Sequence, residues 1–347
     1  LYITPLNMDP ENPAQPFATP GFAEHLAAHI GRFHTLGIPE DEKGLEAGAL
    51  SDDEFLGLVD FIFRERVRMI DDQLDEFKTG FLFAYVGTID QLSHAMWRTM
   101  DTEANPELKR LSDTIPSYYA RVDQLIGHVV ERAGANTPVI VMSDHGFAPY
   151  TTKVNLNTWL KRNGYLVEKT GEVTSNDPLD RIDWSKTRAY ALGLNLLYLN
   201  MKGREAHGIV LPSERDALLA EIKTGIEALR DPVTRKQVVV HVVLPKPGPY
   251  TDRAPDAIIG YARGFRSSDA SAVGALTATV FDRNEDKWRG DHCMDAGSVP
   301  GLIASTLHLH TDGAALVDVA PTILDHFGVA RPSTFVGHSL LEPGSKP

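Results

Sequence analysis

Two acid–imidazole pairs in this chain have the residue types and the placement of metal half-sites. The stretch IVMSDHGF (140–147) is an apolar run that stops abruptly at Asp144, His145 and Gly146. A second pair, Asp90 and His94, sits four residues apart just after the apolar run from Phe81 to Val86. Carboxylate and neutral imidazole are good ligands for zinc or a similar divalent cation. Residues one helical turn apart share a face, so Asp90 and His94 can converge on one ion. Adjacent Asp144 and His145 can do so if the loop turns sharply, and Gly146 permits such a turn. Two half-sites at neighbouring strand ends suggest two metals, and a pair ~3.5–4 Å apart would clamp the attacking and leaving oxygens of a phosphoryl transfer. Each pair alone has a plainer reading: a solvated helix pair for Asp90 and His94, a turn with a helix cap for S-D-H-G. Their joint placement at two strand ends favours metal. A third element is KWRGDHCMDAGSVPGLIAS (287–305), where His292 lies in a Gly-rich loop before a predicted strand. Cys293 competes with it as a ligand; the hard oxygen ligands around favour the histidine.

The elements that must position these residues follow from hydrophobic period. Ser51 and Glu54 form a capping box ahead of Val59, Ile62, Phe63, Val67, Ile70, Leu74 and Phe77, which predicts a helix over about 52–78. Phe81 to Val86 reads as a strand covered on both faces. Val122, Leu125, Ile126, Val129 and Val130 predict a helix over about 117–133, ended by Gly134. Pro138 to Met142 reads as a second buried strand. Helix, strand, helix, strand implies βαβ units and a mostly parallel sheet flanked by helices. In such open sheets ligands bind beyond the carboxyl ends of the strands, where Asp90 and Asp144 fall.

Residues 150–290 are more mixed. Strands are expected over 188–200 and 237–244 and a helix over 212–231, as a smaller inserted α+β cap region. A strand at 299–305 and a helix at 316–329 close the chain. The domain expectation is a core over 1–150, an inserted cap or substrate region over 151–285, and a return to the core over 286–347. Residues 4–20, with five prolines, read as an extended loop, and 21–33 as a short surface helix.

Bulk composition narrows the function classes. Of 347 residues, 42% are hydrophobic and 23% charged, an ordinary globular mixture. The net charge of -13 argues against a general nucleic-acid coat or binding to anionic membranes. An anionic substrate held by metals in a local pocket stays compatible with it. A single cysteine allows neither an intrachain disulfide nor a cysteine-rich zinc site. No run approaches the ~20 apolar residues of a membrane-spanning helix. Localisation and oligomeric state are not legible.

D-x-x-x-H at 90–94, S-D-H-G at 143–146 and G-D-H at 290–292, in this order, resemble the type I phosphodiesterase/nucleotide pyrophosphatase branch of the alkaline phosphatase superfamily. The similarity runs from about 50 to 340, including DVAPTIL (318–324). The resemblance implies an alkaline phosphatase-like fold and hydrolysis of a small phosphate-ester substrate at two divalent ions, zinc or alternatively manganese. It assigns one metal to Asp90, His94 and His292. The other goes to Asp144 and His145, together with an N-terminal Asp and a Thr or Ser nucleophile. No strand before residue 81 offers that last pair. The expectation is therefore a fragment whose nucleophile lies upstream of Leu1, inactive by itself. The 147-residue spacing between His145 and His292 favours the phosphodiesterase branch over cofactor-independent phosphoglycerate mutases. Cys293 lacks the C-x-P-x-R context of sulfatases. The alternatives are an inactive metal-binding or structural module, and a phosphomonoesterase or phosphomutase of the same superfamily. His25 and His29 are also spaced i, i+4, but they read as part of a solvated helix without an acid ligand at a strand end nearby. His308 and His310 are substitutes for His292. Asn155 and Asn157 either line the pocket or serve as caps, and the four tryptophans are read as packing.

Overall fold

The computed structural model of the chain describes residues 2–171 and 173–342. In chain order it forms α1 (Phe22–Ile30), α2 (Glu42–Glu46), α3 (Asp52–Glu76), α4 (Thr88–Met96), α5 (Thr114–Ala133) and β1 (Ile140–Met142). Next come β2 (Ala148–Val154), α6 (Leu156–Arg162), β3 (Ala189–Ala191), β4 (Leu196–Leu199), α7 (Arg215–Glu227) and β5 (Val239–Val243). Then follow β6 (Ala257–Tyr261), β7 (Gly264–Ser267), α8 (Asp269–Ala272), β8 (Phe281–Arg283) and β9 (Gly290–Asp291), and finally β10 (Ile303–Ser305) and α9 (Val319–His326). The chain divides into two compact units: Leu1–Asp144 with Gly301–Pro347, and His145–Pro300. The fold is mixed α/β.

The first unit is organised by helices. The Ser51 hydroxyl accepts from the Glu54 N–H at 3.3 Å and the Glu54 carboxylate accepts from the Ser51 N–H at 2.8 Å, which starts α3 where the capping box predicts. Phe55, Val59 and Phe63 on α3 are buried with Leu92, Ala95 and Met96 of α4 and with Ile115 and Tyr118 of α5. Gly134 ends α5 with φ +70, its N–H bonded to the Val130 carbonyl at 3.2 Å.

The expected strand at 81–86 is not one. Among the described residues it enters no ladder, and Phe81, Phe83 and Tyr85 are exposed rather than covered on both faces. β1 therefore has no earlier neighbour to run parallel to. Its partner is β10, antiparallel, with Ile140 opposite Ser305 and Met142 opposite Ile303.

The second unit holds the largest buried cluster, with Leu160, Ile182, Leu197, Ile222, Ile226 and Ile259 among its members. One sheet runs β3-β4-β6-β5; in the other, β2 lies between β7 and β8 and also pairs with β9. The expected mostly parallel sheet is corrected here: β2–β7 is the one parallel pairing among the described strands, and the rest are antiparallel. Connection length accounts for one of these antiparallel pairings. The expected strand 188–200 is a hairpin, β3 and β4, joined through Gly193 at φ +77. A link this short can join only antiparallel strands, whereas β2 and β7 have a long crossover between them. The helix expected over 212–231 is a 3-10 turn at Pro212–Glu214 followed by α7.

Candidate metal centre

In the first unit, α4 is fixed by Leu92, Ala95 and Met96, each at most 2% exposed. That leaves Asp90 in its first turn and His94 in its last turn on a shared face. His94 is buried, and its Nε2 lies 3.7 Å from Asp90 Oδ1. This is too long for a hydrogen bond. It is close to the ~3.4 Å that separates two ligand atoms bound tetrahedrally at ~2.0–2.2 Å.

Asp144 follows β1. The Ser143 N–H donates to the Leu302 carbonyl at 3.0 Å, and the Leu302 N–H donates to the Ser143 hydroxyl at 3.0 Å. A Cβ at Gly301 would stand 2.4 Å from the Ser143 carbonyl oxygen, so only glycine lets the two segments approach there. Asp144 is exposed at the end of this clamp. Tyr85 registers both acids: burial raises its phenol pKa, and the charges of Asp90, Asp144 and Glu40 raise it further.

Two carboxylates that sequence reasoning missed belong to this neighbourhood. Burial pushes Glu42 up to about 8, with repulsion from Asp90 and Glu40 adding to it. Burial likewise raises Glu40, with Asp90 contributing. Their signal was the run Glu40-Asp41-Glu42, which lies far from Asp90 in sequence and has no spacing that points to it.

In the second unit His145 and His292 are brought together. Their rings stack with centroids 3.6 Å apart and planes 16° from parallel. His145 Nδ1 lies 3.0 Å from the Gly146 carbonyl oxygen. The ring nitrogen must donate in that bond, which fixes the tautomer of the ring. Gly146 is required for close approach rather than for a left-handed turn: a Cβ there would meet the Pro300 carbonyl oxygen at 2.6 Å.

His292 is held from beneath by a residue not weighed in the sequence. Asp291 is 1% exposed and meets the buried Arg266 guanidinium at 2.6 Å. It also accepts from Trp288 Nε1 at 2.9 Å and from the His292 and Cys293 N–H groups at 2.8 and 2.7 Å. Ligand atoms of Asp291, His292 and Cys293 lie within 4.8 Å of one another. Asp291 is engaged as an anchor, so the histidine stays the better candidate of the three.

The remaining candidates separate. His308 and His310 are exposed in the first unit. Asn155 and Asn157 are buried and structural: Asn155 bonds the Thr279 carbonyl and Asp282, and Asn157 exchanges bonds with Ala191. Trp159 packs on Tyr165 and Trp184 on Tyr190, whereas Trp288 also carries the hydrogen bond to Asp291.

Clustered Asp and His side chains on a mixed α/β scaffold make a candidate metal centre. The sequence profile of the type I phosphodiesterase / nucleotide pyrophosphatase family matches residues 41–291, and the chain belongs to that family, within the alkaline phosphatase superfamily. The match contains Asp90, His94, Asp144 and His145 and stops one residue before His292. It begins earlier than the sequence motifs suggest and does not extend to 318–324. No curated protein matches the chain. No helix among the described residues is long and apolar enough to cross a membrane.

Proposed function

We propose that this protein is a metal-dependent hydrolase of phosphodiester or pyrophosphate bonds. In this reading Asp90, His94 and His292 hold one divalent cation, and Asp144 and His145 contribute to a second. The observation that carries the proposal is the family match, which encloses four of these five residues. The 3.7 Å spacing of Asp90 and His94 supports it, because two ligands of one ion stand about that far apart. Imidazole and carboxylate together suit zinc, with manganese as the alternative. When bound, such a pair of cations neutralises phosphate charge and lowers the pKa of the attacking group.

The chain's own residues do the positioning. A buried helix fixes Asp90 and His94, the Gly146 carbonyl orients His145, and Asp291 with Arg266 fixes the backbone at His292. The 145–300 unit, close to the expected 151–285 insertion, is assigned the cap or substrate-binding role. Residues 1–347 contain no Thr or Ser to which we assign the nucleophile.

The test uses bis(p-nitrophenyl) phosphate. Binding is expected to require zinc and to weaken at least tenfold, ~1.4 kcal/mol, in Asp90→Ala. Turnover by residues 1–347 is expected to be barely above background. Binding indifferent to chelator and to Asp90→Ala would overturn the proposal. Rapid turnover that depends on Asp90 would put a nucleophile within these residues.

A further inference from the structure

α1 and α3 bring together four side chains that no local spacing groups. His25 and His29 are one turn apart on α1, with ring centroids 4.2 Å apart. Asp72 and Glu76 are one turn apart on α3. His25 Nε2 lies 2.6 Å from Glu76 Oε1, and His29 Nδ1 lies 2.7 Å from Asp72 Oδ1 and 3.8 Å from Glu76 Oε1. One ligand atom from each of His25, His29 and Glu76 lies within 4.8 Å of the other two. His25 and His29 do lie exposed on a helix, as the sequence reading expects, and the acids beside them are not at a strand end. The acids come from a helix some forty residues on, and no local spacing could reveal them.

We propose that His25, His29 and Glu76 form a divalent transition-metal site, separate from the candidate metal centre, that clips α1 to the C-terminal half of α3. Two imidazoles and a carboxylate are a zinc ligand set. Asp72 is the orienting carboxylate: it holds His29 and is itself held by Gln73 Nε2 at 3.1 Å. Carboxylate–imidazole pairs of this kind fix ring orientation at metal sites. Zinc needs ligand atoms ~3.4 Å apart. The 2.6 Å contact between His25 and Glu76 must therefore open, and His29 must ligate through Nε2, because Nδ1 is the nitrogen that Asp72 holds; side-chain rotation allows both. His25, His29 and Glu76 are 46%, 42% and 42% exposed, so there is room for the movement and a path for the ion.

The experiment titrates the metal-free full chain with zinc and counts bound metal by elemental analysis, with cobalt(II) absorption as a second readout. The chains compared are the unaltered protein, His25→Gln/His29→Gln, Glu76→Gln and Asp90→Ala/His94→Ala. The histidine variant is expected to lose about one equivalent of zinc and the matching cobalt band. Asp90→Ala/His94→Ala is expected to keep that equivalent and that band, so failure of the proposed catalytic centre would leave this site visible. Glu76→Gln, a change at an exposed position, is expected to weaken the same equivalent at least tenfold, and it decides the matter should the double variant not fold. Undiminished zinc and cobalt binding in the histidine and Glu76 variants would overturn the site and leave only hydrogen-bonded ion pairs between two helices.

Discussion

Near Asp90, Glu42 is the carboxyl most displaced from its ordinary range, chiefly by burial. Burial and the charges of Asp90 and Glu40 move its carboxyl up to about 8. An unfolded glutamate titrates near ~4.3, so between these values the folded chain keeps a proton that the unfolded chain releases. Stability of the metal-free protein should therefore fall as pH rises through that window. The penalty is absent below the unfolded pKa and complete above the folded one. The urea midpoint is expected to drop between about pH 5 and about pH 9, and Glu42→Gln to flatten the drop. An unchanged slope in Glu42→Gln would place the titrating group elsewhere. At this scale the motifs were informative: Asp90, His94, Asp144 and His145 could be picked out because acid and imidazole sit at short spacing beside apolar runs. Glu40, Glu42 and Asp291 could not be. Their roles arise from burial and from long-range neighbours, which leave no local pattern.

Among the elements, the loop carrying His292 depends on an ion pair. Asp291 and Arg266 are both more than nine-tenths buried, and Asp291 satisfies two backbone N–H groups and an indole besides. Removing one partner strands a buried charge, so Asp291→Ala should destabilise the protein by about 3–5 kcal/mol in denaturant unfolding. A loss under about 1 kcal/mol would mean that water replaces the carboxylate there. Helices were the legible elements. α3 and α5 follow from caps and period, because a helix makes its own hydrogen bonds and announces its ends. Strands were less so. Phe81–Val86 has the composition of a buried strand, yet a strand exists only where a partner aligns, and that run enters no ladder among the described residues. The 188–200 run hid a turn at Gly193, whose positive φ becomes visible only in three dimensions.

At the scale of the whole molecule, the α/β class was readable from alternating helix and strand patterns, whereas strand direction was not. Direction is set by connection lengths and by which runs find partners, and neither is encoded in a single segment. The acidic surface, the two compact units and the family membership fit an enzyme that handles a small anionic substrate at a local cationic site, rather than a nucleic-acid coat. The central claim is that Asp90, His94 and His292 share one metal with Asp144 and His145 beside it. Anomalous diffraction at the zinc edge from crystals of the zinc-loaded chain tests this most directly. The account predicts a peak ~2.0–2.2 Å from a ligand atom of Asp90, of His94 and of His292, with a second peak next to Asp144 and His145. Zinc bound without His292, or no zinc at Asp90 and His94, would contradict it.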